Sequence, residues 1–68
     1  MKPFELRLAQ EHAKVAQHLK NLDRFISDKS RFEMLPDEHR TLILEQAEVM
    51  GRYVKILEKR LTLLNIPV

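Results

Sequence analysis

Leu8, Val15 and Leu22 recur every seven residues in the first third of the chain, with Leu19 and Ile26 interleaved between them. Alternating three- and four-residue steps place such residues along one line of an α-helix, the narrow seam of a coiled coil. The spacing predicts a first helix over about residues 3–27. Pro3 suits its first turn, where a missing N–H costs nothing, and the small residues Ala9, Ala13 and Ala16 beside the seam leave room for a neighbouring helix. Ser27-Asp28-Lys29-Ser30-Arg31 then interrupts the pattern with short polar side chains that compete for backbone hydrogen bonds. A connector over about residues 28–35 follows. Ser30 and Glu33 have the spacing of a capping box, which predicts a short helical turn through Phe32 and Met34.

Pro36, Asp37 and Glu38 read as the start of a second helix, with two acids beside the positive end of its dipole. Pro67 limits it at the other end, so it is expected over about residues 36–64. This helix carries three apolar stripes: Ile43, Met50, Leu57 and Leu64; Leu42, Val49, Ile56 and Leu63; and Ala47, Val54 and Leu61, with Tyr53 beside them. Projected at 100° per residue they cover about 160° of the helix, where a helix facing one core needs little over 100°. A first helix with a single seam cannot cover that width. The expected architecture is therefore all-α, a two-helix antiparallel hairpin in a single domain over residues 1–68, pairing with a second copy into a four-helix bundle, with a binding face for a different protein as the rival use of the extra stripe. Leu42, Val49, Met50, Tyr53, Ile56, Leu57, Leu63 and Leu64 are the candidate interface.

Composition sharpens this picture. The chain has 68 residues, one glycine, three prolines and no cysteine, and a chain this short has few ways to stabilise itself. Disulfides and thiolate metal sites are excluded by composition, leaving regular helix packing and association. Twelve basic residues against ten acidic ones give a net charge of +2, too small by itself to announce a nucleic-acid or anionic-membrane partner. The opening Met1-Lys2-Pro3-Phe4-Glu5 has no apolar core of signal-peptide length and no stretch reaches the roughly 18 apolar residues of a membrane span. The cytoplasm is the expected location.

The chain offers little to chemistry. His12, His18 and His39 share no ligand spacing, neither long helix carries an E-x-x-H motif, and Gly51 alone cannot build a phosphate-cradling loop. With the serines confined to the connector and no thiol, catalysis is not expected, nor is a cofactor or a metal. His12 occupies a seam position between Leu8 and Val15, where a titratable ring can make packing sensitive to pH. Arg7, Gln10, Lys14, Gln17, Asn21 and Arg24 follow at steps of three and four along one line of the first helix, without a carboxylate among them. Such a face suits phosphates or an acidic partner. Leu44, alone on the polar back of the second helix, and Ile66 and Val68 in the apolar tail are candidate partner contacts.

Leu22…Phe25-Ile26, Phe32…Leu35-Pro36 and Gln46…Met50…Tyr53…Leu57…Arg60-Leu61 together resemble small helical-hairpin proteins of bacteriophages and prophages, over roughly residues 19–61. The resemblance implies a phage or prophage origin and a protein that binds and modulates a host or phage macromolecule. In layout the chain is also similar to the Rop hairpins of plasmids, which dimerise and bind paired RNA loops through a face of Asn, Gln and Lys. It lacks their cysteines and aspartate-rich turn. The leading expectation is a non-catalytic protein that binds another protein. The alternatives are an RNA- or DNA-binding dimer using the polar face of the first helix, and a structural piece of a phage assembly.

Overall fold

The computed structural model describes residues 2–68. Three helices follow in order: α1 (Pro3–Ser27), α2 (Lys29–Phe32) and α3 (Asp37–Leu63). Among the described residues there is no strand. Contacts pair rising positions in α1 with falling positions in α3: Leu8 packs with Leu57 and Leu61, and His12 meets Glu58. The two long helices are thus antiparallel, and they form a rod of 45 × 15 × 15 Å.

Helix ends are defined by local chemistry. Glu5 reaches back to accept a hydrogen bond from the Lys2 backbone N–H at 2.9 Å, which satisfies one of the donors a helix start leaves free. Asp28 joins the first two helices: its N–H donates to the carbonyls of Arg24 and Phe25, and its own carbonyl accepts from Phe32 N–H at 2.9 Å. Here the structure corrects the capping-box reading of the connector. Ser30 lies inside α2 and its hydroxyl donates to the Asp28 carboxylate at 2.9 Å, because α2 starts one residue after α1 ends and Asp28 occupies the cap. Phe25 and Phe32 meet edge to face with centroids 6.3 Å apart, which holds α2 against the end of α1. Pro36 takes the N-cap of α3 with φ −58° and ψ 151°.

The far end of α3 closes with a Schellman motif. Ile66 N–H bonds to the Leu61 carbonyl at 2.9 Å and Asn65 N–H to the Thr62 carbonyl at 3.0 Å, while Asn65 adopts φ 59° in the left-handed region. The reversal folds Ile66 back onto the core.

That core is thin. Leu8, Ile43, Val54, Leu57 and Leu61 are buried, with Ala9, Val15, Leu64 and Ile66 packed around the Leu8–Leu57–Leu61 cluster. Leu57 is completely enclosed, and burying a leucine is worth about 1.5–3 kcal/mol. Two of the three stripes on α3 turn inward. Ile43 and Leu57 with half-buried Met50 and Leu64 form one; Val54 and Leu61 with half-buried Ala47 form the other.

Candidate interaction surface

The third stripe of α3 stays outside. Leu42 is 62% exposed, Val49 49%, Ile56 53% and Leu63 82%, so one continuous row of branched aliphatic side chains lies open to solvent. At 1.5 Å per residue the row is about 31 Å long. The reason is geometric. The seam of α1 packs on Leu57 and Leu61 of α3, Ile43 and Val54 are buried on the same arc, and residues one position before Ile43 and Leu57 project about 100° further round the helix.

Sequence-based expectations for the interface therefore divide. Leu42, Val49, Ile56 and Leu63 lie on the open row, and Tyr53 lies on its edge. Leu57 does not join them, since the hairpin's own core encloses it. Met50 and Leu64 are half-buried, Leu64 against that same core. Ile66 is turned inward by the Asn65 reversal, whereas Val68 remains 68% exposed. Leu44 is half exposed on the opposite side, lining an open groove with Ile26, Phe32 and Thr41 at the connector end of the rod.

Two polar contacts tie the long helices together. His12 Nε2 lies 3.0 Å from Glu58 Oε2, in a partly buried position at the edge of the seam. On the other edge, Tyr53 donates its phenolic proton to Glu11 Oε1 at 2.5 Å. The hydrogen bond to that carboxylate raises the Tyr53 ionisation above its ordinary value, because losing the proton would set two anions side by side. Neither Glu11 nor Glu58 stands out in the sequence, because each is an ordinary surface acid until the antiparallel register brings its partner across. Asn65 has a readable signal, an Asn placed just after the last periodic residue and shortly before a proline.

The polar line of α1 is exposed throughout: Arg7, Gln10, Lys14, Gln17, Asn21 and Arg24 all face solvent. Gln17 spends its amide N–H₂ on Asn21 Oδ1 at 3.0 Å. Arg7, Gln10 and Lys14 line a shallow groove together with Glu11 and His18, so the line has an acid at its border. His18 and His39 are exposed and lie on different helices. Gly51 is half-buried, and a Cβ added there would meet nothing within 4 Å, so no close backbone approach requires the glycine.

The family model of the Sequestin family matches residues 2–63. The chain belongs to the Sequestin family. The Sequestin match runs through all three helices and takes in the whole open row, while Asn65 and the Val68 tail fall beyond it. Comparison with curated proteins and with solved structures gives no match. No helix among the described residues is long and apolar enough to cross a membrane.

Proposed function

We propose that this Sequestin family member is a non-catalytic protein that sequesters another protein, acting as a dimer of hairpins with the α3 helices at its centre. The observation that carries the reading is the open row Leu42, Val49, Ile56 and Leu63 on a helix already packed on its other side. Contiguous apolar surface of this kind marks an association site on a small protein. The family name itself suggests a protein that holds a partner. A phage or prophage setting, with a host or phage protein as the target in the cytoplasm, accords with the hairpin resemblance.

With the row given to self-association, the contact for the sequestered protein falls on the remaining apolar features. The Leu44 groove with Ile26 and Phe32 is the first candidate, and exposed Val68, beside Lys55 and Thr62, the second. The test is affinity capture from the source cell, followed by a binding isotherm with the purified captured protein. Leu44→Glu is expected to weaken that isotherm at least about tenfold, the effect of placing a charge in an apolar contact. A partner bound equally well by Leu44→Glu and by truncation of Val68 would remove both contacts from the reading.

A nucleic-acid reading is favoured by one observation, the unbroken exposure of the six polar residues on α1. It predicts retention of RNA or DNA that falls steeply with salt and is lost in Lys14→Glu with Arg24→Glu. A role as a structural piece of a phage assembly predicts co-purification with virions.

A further inference from the structure

The open row of α3 has two chemically different borders. Gln46, Tyr53 and Arg60 line the side toward α1, as the Tyr53–Glu11 hydrogen bond and the groove shared by Gln46 with His18 and Asn21 require. Glu45, Arg52 and Lys59 line the side away from it, each three residues from a member of the row. The sequence of these borders is self-complementary in one direction only. We propose that the row is covered by the same row of a second copy, running antiparallel, with the two-fold axis passing between Arg52 and Tyr53. The proposal deepens the dimer of hairpins put forward above and rests on it.

In an antiparallel pair related by a two-fold axis, like border meets like border and residue numbers across the interface run in opposite directions. Centring the axis between positions 52 and 53 sets Leu42 against Leu63 of the second copy and Val49 against Ile56 of the second copy, so each row is matched along its whole length. The outer border then brings Glu45 to Lys59 of the second copy, twice by symmetry. On the inner border Gln46 meets Arg60 of the second copy, and the two Tyr53 rings meet at the axis. The one like-charge encounter is Arg52 with its own copy, and that side chain is 69% exposed with Glu48 3.9 Å away on the preceding turn. A parallel pair loses these matches. Opposite borders then face each other at equal heights, putting Glu45 near Gln46 of the second copy and Lys59 near Arg60 of the second copy, a cation against a cation with no acid opposed to either.

Surface area supports a copy-sized occupant. The hairpin exposes 5471 Å², whereas a folded monomer of its 8.1 kDa exposes about 4,500 Å². The excess of about 1,000 Å² is close to the roughly 800 Å² that each partner buries in a stable interface. The radius of gyration, 14.8 Å, likewise exceeds the roughly 11 Å of a compact chain of this length.

The absence of cysteine makes the direction directly measurable. Leu42→Cys and Leu63→Cys are prepared separately and treated with a short thiol cross-linker, alone and as an equimolar mixture. The antiparallel pair predicts a covalent dimer in the mixture, in amounts well above those in either variant alone, and an efficient self-cross-link for Tyr53→Cys. Helicity by circular dichroism verifies that each variant is folded. A second arm uses charge: Glu45→Lys is expected to weaken self-association about tenfold, and Lys59→Glu in the same chain to restore it, since each exposed pair is weak alone but occurs twice by symmetry. Self-cross-linking of Leu42→Cys as efficient as that of the mixture means a parallel dimer, which overturns the register and leaves the dimer standing. A light-scattering mass of one chain at all concentrations overturns both the register and the dimer.

Discussion

Gly51→Ala isolates one term of the hairpin's stability. Gly51 lies in the interior of the 27-residue helix α3, and the added Cβ would find open space out to 4 Å, so the substitution changes neither packing nor any hydrogen bond. What it changes is backbone entropy: alanine in a helix interior is favoured over glycine by about 0.8–1 kcal/mol, chiefly because the unfolded chain has fewer states to lose. For a chain this small, total stability is about 3–10 kcal/mol, so the gain is a sizeable fraction. It should raise the melting temperature by about 4–8 °C. The assay is thermal melting followed by helical circular dichroism, with urea unfolding in parallel, each at two protein concentrations a hundredfold apart. Gly51 lies on the flank of α3 away from the open row, so the gain should be the same at both concentrations. A loss of stability, or a gain confined to one concentration, would refute the reasoning, for it would mean that another surface comes within contact distance of that glycine.

Other expectations follow from the same geometry. Leu57→Ala removes a fully enclosed side chain and should cost about 2–5 kcal/mol, read as a lower midpoint in urea titration. Its neighbour Ile56→Ala should cost little in dilute solution, where that side chain is half exposed, and more as concentration rises and the row is covered. Asn65→Val places a β-branched residue at φ 59° and should cost about 1–2 kcal/mol, read as a lower melting temperature with helix content nearly unchanged. Absorbance titration of Tyr53 should give a midpoint above the ordinary phenol value of 10.0, and Glu11→Gln should move it down toward that value. The raised value fixes the sign of its linkage to folding: the contribution of the Tyr53 contact is complete below the unfolded value and disappears as pH rises through the folded one. Stability lost near neutral pH would count against it.

Much of the helical plan was readable without coordinates because it is written in local periodicity. Leu8, Val15 and Leu22 mark a single seam, Leu35-Pro36-Asp37 marks a break, and the width of apolar residues on the second helix exceeds what one seam can cover. These are properties of short stretches, and short stretches determine backbone conformation through spacing, caps and turn residues.

Rotation and register were decided by the tertiary structure. Three adjacent stripes on α3 offered three ways to face α1, and the pattern alone ranks them poorly because each is apolar. The antiparallel packing selected the arc through Ile43, Val54, Leu57 and Leu61, which encloses Leu57 and leaves Leu42, Val49, Ile56 and Leu63 to solvent. The same packing joined His12 to Glu58 and Tyr53 to Glu11 across separations of 46 and 42 residues. Such pairs cannot be found from spacing, because nothing in either local segment encodes the other. By itself the sequence determined that two helices form and that one has apolar surface to spare; the fold decided which surface that is, since only side-by-side packing fixes the angle at which each helix turns toward its neighbour.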